Sequence, residues 1–191
     1  LILKSIDDST VFSLGAQASS GWTWIPSVDR QIIMDTYYDT ADRELRKMKV
    51  GLRIRVVGAL TLVTFKGPAV RGPSGTMERE EFEGAPDEDF FSFLVSRIIS
   101  LGVHLNKNFK WDPDPHELLT NLGLVPIQRR STTRVSRSLC HKNILEPGVE
   151  LALDTVLYKI GNFAVTHREI EVEMMKGGSA LRASACSRRL M

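Results

Sequence analysis

Arginine and glutamate side chains alternate with apolar residues in several short stretches of this chain, a pattern suited to binding a polyanion together with a divalent cation. Arg53 and Arg55 alternate with leucine, isoleucine and valine, and Glu169 and Glu171 alternate with isoleucine and valine. Successive side chains of a β-strand point to opposite faces, so each stretch would line one face with charge. Arginine forks bind phosphate oxygens in pairs, and carboxylates bind the hard cation that accompanies a phosphate chain.

Two further stretches place carboxylates on one face of a predicted strand. Glu81 and Glu83 are two residues apart, and Glu150 and Asp154 are four apart. A solvent-facing sheet would produce the same alternation one strand at a time. The segregation of sign, with arginines in one strand and glutamates in another, instead favours a closed barrel whose polar interior holds both sets.

Length and composition restrict the class of protein. The 191 residues are enough for one domain with a sizeable core, and a net charge of +2 is too small to indicate nucleic-acid binding. Two cysteines form no disulfide framework and are typical of reduced thiols. No apolar run approaches the roughly 18 residues that span a bilayer. We therefore expect a cytoplasmic monomer without a nucleic-acid or membrane partner.

The elements that would position these side chains are mostly strands. Hydrophobic periodicity and turn residues predict a hairpin around Gly58 and helices beginning at Asp87 and Asp114. The further predicted strands cover residues 31–38, 77–83, 127–136, 148–156 and 164–174, and the further predicted helices cover residues 5–18, residues 41–49 and a segment from Ser179. The pattern predicts one α+β domain in which antiparallel strands dominate.

The order of short motifs along the chain resembles the CYTH family, whose members are also called triphosphate tunnel metalloenzymes. The motifs are DTYYDT at 35–40, LRIR at 52–55, FKGP at 65–68, EREEFE at 78–83, RRS at 129–131, LDT at 153–155 and EIE at 169–171. The thiamine-triphosphatase branch is the most similar, because it shares the Tyr-Tyr-Asp-Thr motif and a basic pair before serine, followed by a further basic residue, here Arg134.

The resemblance implies an antiparallel eight-stranded closed barrel, a tunnel with helices packed outside, whose lumen binds a small-molecule triphosphate with Mg²⁺, or alternatively Mn²⁺. The family's opening Glu-x-Glu-x-Lys strand and its C-terminal strand do not appear in residues 1–191. We therefore expect a single CYTH-like domain over residues 1–191 from which these two strands are missing.

The resemblance also implies roles for individual residues. Basic side chains would bind the triphosphate, namely Arg53, Arg55, Lys66, Arg130 and Arg134. Carboxylates would bind the metal, namely Glu81, Asp154, Glu169 and Glu171, and catalytic roles would fall to Lys66, Glu81 and Asp154. Arg129 and Arg130 point to opposite faces, and the motif favours Arg130 as the inward one. The structural alternatives are surface ion pairs for the arginines and a solvated acidic strand for the glutamates.

The implied activity is metal-dependent hydrolysis of the terminal phosphate of an organic triphosphate, with thiamine triphosphate as the leading substrate. An inorganic triphosphatase would use the same residues. A class IV adenylate cyclase would instead direct a ribose hydroxyl at the innermost phosphorus. A non-catalytic polyphosphate-binding module is the alternative from outside the enzymes.

Overall fold

The computed structural model describes residues 22–26, 30–71, 77–106, 108–141, 148–160 and 163–174, which belong to two compact units. The central unit comprises Ile33–Arg130 and Tyr158–Asn162, and the flanking unit takes its residues from Leu1–Ile32, Ser131–Leu157 and Phe163–Met191. The helices predicted over residues 5–18 and from Ser179 lie outside the described residues.

Strands make up most of the described chain. They are β1 (Trp22–Pro26), β2 (Gln31–Thr40), β3 (Gly51–Val57), β4 (Leu60–Lys66), β5 (Val70–Arg71), β6 (Met77–Glu78), β7 (Glu81–Gly84), β8 (Leu124–His141), β9 (Val149–Ile160) and β10 (Phe163–Met174). The helices are α1 (Glu44–Lys47), α2 (Glu88–Ser100) and α3 (Pro115–Asn121).

The central unit is built on an antiparallel sheet in which β2, β3, β4 and β7 are successive neighbours. The predicted β3–β4 hairpin is confirmed, and Val57 pairs with Leu60 across its turn. Gly58 has a φ of 59°, the left-handed conformation that a two-residue hairpin turn requires and that glycine adopts without strain.

One face of this sheet packs against the helices and forms the core of the central unit. Leu52, Ile54 and Phe65 from the strands are buried with Phe91 and Leu94 of α2. Helix α3 adds leucines to the same core, Leu118, Leu119 and Leu122. Because this face is apolar, the side chains that alternate with it are directed to the opposite, polar face.

The predicted helix starts are confirmed by their caps. The Asp87 carboxylate accepts a hydrogen bond from the Phe90 amide at 2.8 Å, and Asp114 accepts one from the His116 amide at 2.8 Å. The helix predicted over residues 41–49 is wrong in length, because only Glu44–Lys47 is helical. Arg43 and Lys49 adopt φ values of 60° and 59°, and this left-handed backbone bounds the helix on both sides.

The strand predicted over residues 77–83 is divided into two pieces. Strand β6 pairs with β5, whereas β7 pairs with β4. Between them the carbonyl of Glu80 accepts a hydrogen bond from the Gly67 amide at 2.8 Å. A side chain at position 67 would meet the Glu80 Cβ at 3.3 Å, so this close approach favours glycine.

The flanking unit consists of strands in its described part. Strand β8 continues into it from Ser131, and β1 pairs antiparallel with the end of β8, with Thr23 opposite Cys140. Strands β8, β9 and β10 are successive neighbours. Leu151, Leu153 and Val156 of β9 are buried.

The α+β class and the antiparallel sheet predicted from the sequence are confirmed. Closure of the strands into an eight-stranded barrel stays a prediction, as does the organisation of residues 1–191 as one domain. Among the described residues, no helix is both long enough and apolar enough to cross a membrane.

Candidate active site

The register of the central sheet gathers charged and hydroxyl side chains on its polar face. Asp35 of β2 lies opposite Arg55 of β3, and Arg53 lies opposite both Tyr37 and Thr64 on its two neighbouring strands. Directly opposed residues share a face, so the alternation within each strand becomes a continuous polar surface. We call Asp35, Tyr37, Arg53, Arg55, Thr64 and Arg130 the arginine cluster.

Asp35 is the centre of the arginine cluster. Its side chain is 0% exposed and accepts two hydrogen bonds from Arg55, at 2.8 Å from Nε and 2.9 Å from Nη2. Arg130 Nε donates to Asp35 Oδ2 at 3.2 Å, and Arg53 Nη1 lies 3.7 Å from the same oxygen. Three guanidinium groups therefore converge on one buried carboxylate, which leaves positive charge in excess there.

Arg53 is buried among hydroxyl groups as well as charges. Its Nε donates to the Thr64 hydroxyl at 3.3 Å and its Nη1 donates to the Tyr37 hydroxyl at 3.4 Å. Glu83 Oε2 lies 3.8 Å from Arg53 Nη2 and accepts a hydrogen bond from the Thr64 hydroxyl at 2.7 Å. The hydrogen bonds of Arg53 thus go to neutral hydroxyls, while Asp35 and Glu83 lie at ion-pair distance from it.

Arg130 joins the same face from β8, as the sequence motif favoured. Its guanidinium carbon lies 4.8 Å from the centre of the Tyr37 ring, a cation–π contact. The neighbouring Arg129 is exposed. Burial lowers the pKa of Arg130, but the charge interactions with Tyr37 and Asp35 and a hydrogen bond with Tyr158 outweigh it and raise that pKa.

The arginines control the ionisation of Asp35. Burial raises the pKa of its carboxyl, but the hydrogen bond from Arg55 and the charges of Arg53, Arg55 and Arg130 outweigh this and lower the pKa from its ordinary 3.8. Asp35 is therefore ionised at neutral pH, and the folded state favours its charged form.

This lowered pKa predicts a pH-dependent contribution to stability. A carboxyl whose pKa is lower in the folded than in the unfolded state stabilises the fold above the unfolded pKa, here about pH 4. The contribution is lost as the pH falls through the lowered folded value. Urea unfolding at a series of pH values gives the free energy of unfolding of the unaltered protein and of Asp35→Asn. We expect the difference between these two free energies to be constant above about pH 5 and to shrink below about pH 4. A difference that grows toward acid would contradict the assignment.

Lys66 and Glu81 form an ion pair on the same sheet face. Lys66 Nζ lies 2.9 Å from Glu81 Oε1, and the two residues are direct partners across β4 and β7. Both side chains are partly exposed, at 23% and 39%, so the pair contributes little to stability. Their catalytic roles and the metal role of Glu81 stay predictions.

The flanking unit contains a second cluster of charges, in which three of the four predicted metal ligands come together. Asp154, Glu169 and Glu171 each offer a carboxylate oxygen, and these oxygens lie within 4.8 Å of one another. Asp154 is buried, whereas Glu171 is exposed. With Arg134 we call them the acidic cluster. Hard oxygen donors of this kind suit Mg²⁺ or Mn²⁺, so the residues present fit a divalent cation.

Arg134 is bound to the carboxylates of the acidic cluster. Its Nε donates to Asp154 Oδ1 at 2.8 Å, and its Nη2 lies 2.6 Å from both Asp154 Oδ2 and Glu171 Oε2. The hydrogen bond with Asp154 is the main reason that the pKa of Arg134 is raised, although burial opposes it. Glu169 is held differently, since His167 Nε2 lies 3.4 Å from its Oε2. The predicted phosphate role of Arg134 stays a prediction.

The sequence prediction missed three members of the arginine cluster. Asp35 and Tyr37 stand two residues apart in a strand-like segment, so alternation alone would have placed both on one face. Thr64 is two residues before Lys66 and shares its face for the same reason. Their neutral or negative side chains do not suggest phosphate binding until the contacts with arginine are seen.

A family model described as the CYTH domain matches residues 23–185. The chain belongs to the CYTH domain family. This family, the triphosphate tunnel metalloenzymes, consists of metal-dependent enzymes that bind triphosphates. In this CYTH protein the arginine cluster offers cations for an anionic ligand, and the acidic cluster offers oxygens for a metal. No curated relative matches this CYTH protein in sequence.

Solved structures share the fold of this CYTH protein. A candidate adenylate cyclase of Bacillus halodurans is 19% identical, with a TM-score of 0.55 over 97% of this chain and 83% of its own. A Pyrococcus horikoshii protein is 20% identical, with a TM-score of 0.51 over 95% and 81%. A candidate adenylyl cyclase of Hippeastrum, described as having a dominant triphosphatase activity, is 17% identical, with a TM-score of 0.53 over 96% and 81%. At these identities the similarity establishes the fold alone.

Proposed function

We propose that this CYTH protein is a Mg²⁺-dependent hydrolase, with Mn²⁺ as the alternative ion, that removes the terminal phosphate of an organic triphosphate. The observation that carries the proposal is the convergence of Arg53, Arg55 and Arg130 on one polar sheet face. Thiamine triphosphate is the leading substrate, because the Tyr-Tyr-Asp-Thr motif and the basic residues from Arg129 to Arg134 resemble the thiamine-triphosphatase branch.

The arginine cluster suits the binding of a phosphate chain for two reasons. Guanidinium groups donate paired hydrogen bonds to phosphate oxygens, and several of them are needed for an anion with charge spread over three phosphates. Burial of Arg53 and partial burial of Arg55 and Arg130 reduce the screening by water, so each contact with phosphate is stronger than at an open surface. Lys66 adds a further cation on the same face.

The acidic cluster is the proposed metal site. Asp154, Glu169 and Glu171 would hold the ion, and a divalent ion supplies positive charge for phosphate oxygens. Phosphoryl transfer depends mainly on placement and charge stabilisation. The residues of this chain therefore have to bind the anion, neutralise its charge and hold the metal.

Adenylate cyclase activity is the second candidate, because two of the similar structures are described as candidate adenylate cyclases. For the Hippeastrum protein a dominant triphosphatase activity is described, and this favours hydrolysis over cyclisation for the present chain. An inorganic triphosphatase and a non-catalytic polyphosphate-binding module are the remaining alternatives.

Product analysis separates these activities. We expect the protein incubated with Mg²⁺ and thiamine triphosphate to release thiamine diphosphate and orthophosphate. Phosphorus NMR detects both products. Chelation of the metal should abolish this activity. ATP and inorganic triphosphate serve as matched substrates in parallel. Formation of pyrophosphate and a cyclic nucleotide from ATP would instead establish adenylate cyclase activity. Faster cleavage of inorganic triphosphate than of thiamine triphosphate would establish an inorganic triphosphatase. Binding without turnover of any substrate would support the polyphosphate-binding module.

A further inference from the structure

We propose that Asp35 is a positioning residue for triphosphate binding: its buried carboxylate fixes the guanidinium groups of Arg55 and Arg130 in a prearranged array, although its own charge repels the ligand. This inference rests on the proposed function, because the array is needed only if the polar face of the central unit binds a polyanion.

The contacts of Asp35 are those of a residue that orients its neighbours. Both of its oxygens accept hydrogen bonds from Arg55 in a fork of 2.8 Å and 2.9 Å, and Oδ2 also accepts from Arg130 Nε at 3.2 Å. The side chain is 0% exposed, so a ligand in solvent has little surface of Asp35 to contact. Asp35 of β2 thereby ties together side chains from β3 and β8 at one point.

Removing the charge of Asp35 has two opposite consequences. The local potential becomes more positive, which by itself would strengthen binding of an anion. At the same time, three like-charged guanidinium groups lose their shared partner, repel one another and regain side-chain freedom that ligand binding must then remove. The attraction by charge is spread over the whole sheet face, whereas the hydrogen bonds that orient Arg55 and Arg130 converge on this one carboxylate. We therefore expect the loss of alignment to outweigh the gain in charge.

The test is the affinity for inorganic triphosphate, measured by isothermal titration calorimetry on the unaltered protein and on Asp35→Asn. We expect the dissociation constant of Asp35→Asn to rise by about tenfold to hundredfold, by analogy with the range found when side chains that orient the ligands of a metal are removed. The matched control is Glu83→Gln, which removes an equal charge from the same face. In the unaltered protein the Glu83 carboxylate lies 3.8 Å from Arg53, beyond hydrogen-bonding distance. In this control the charge gain should dominate, and affinity should stay equal or increase.

The outcomes separate this inference from the proposed function. Equal or tighter binding by Asp35→Asn, with the unaltered protein binding normally, overturns the inference and leaves the proposed function standing. Failure of the unaltered protein to bind triphosphate overturns the proposed function, and the inference with it. If circular dichroism shows that Asp35→Asn is unfolded, the test uses Asp35→Glu, which keeps the net charge but displaces the carboxylate. Weaker binding of triphosphate by Asp35→Glu supports the positioning role of Asp35, and unchanged binding overturns that role. With substrate, a positioning role should raise KM more than it lowers kcat.

Discussion

Glu169→Gln should lower the apparent affinity for Mg²⁺ by about tenfold to hundredfold, because it removes one charge from the acidic cluster and keeps the size of the side chain. Activity should therefore fall steeply at limiting Mg²⁺ and recover in part when Mg²⁺ is raised. Substitution of Glu169 is easier to interpret than substitution of Glu171. Glu169 contacts His167, whereas Glu171 accepts a hydrogen bond from Arg134 that its substitution would disturb. The measurement is a Mg²⁺ titration of activity beside calorimetric binding of the metal alone.

The control for this experiment is Glu173→Gln, which lies two residues after Glu171 on the same strand and is exposed. Neutralising it removes an equal charge outside the acidic cluster, and its Mg²⁺ dependence should stay within about twofold of the unaltered protein, since an exposed charge is screened by solvent and salt. Combining Glu169→Gln with Glu171→Gln should cost little more than the worse single change, as expected for residues with one shared task. Hydrolysis by Glu169→Gln at the normal rate under limiting Mg²⁺ would contradict the assignment of Glu169 as a metal ligand.

Arg53→Ala and Arg130→Ala should each raise KM for the triphosphate by about tenfold to hundredfold, because loss of one charge-assisted hydrogen bond to phosphate corresponds to roughly 1.5–3 kcal/mol of binding free energy. Arg55→Ala should raise KM similarly and should also destabilise the fold, because it removes two hydrogen bonds from the buried Asp35. Steady-state kinetics and thermal unfolding of the three variants measure both effects.

Arg129→Ala provides a matched control for Arg130→Ala. The two residues are neighbours on β8 with the same side chain, but Arg129 is exposed and Arg130 contacts Asp35. The control should change KM by less than about twofold, since a single exposed charge is screened by solvent and salt. Equal effects of the two substitutions would mean that net charge, and not the arginine cluster, attracts the triphosphate.

The sequence by itself determined the local elements and the faces of the strands. The period of two in β3 places Arg53 and Arg55 on one face whatever the rest of the fold is. Cap residues set the starts of α2 and α3, since a cap bonds to amides only two or three residues away. The order of short motifs along the chain indicated the family. These signals succeed because each can be read from the order of residues without knowing which strands pair.

Tertiary structure decided which charges meet. Asp35 is 20 residues from Arg55 and 95 from Arg130 in sequence, and only the pairing of strands brings them together. The division of the segment over residues 77–83 also depended on partners, because β5 and β4 each pair with one half. Alternation fixes the face of a side chain, but strand register and burial fix its partners. The lowered pKa of Asp35 therefore follows from the fold and not from the local sequence.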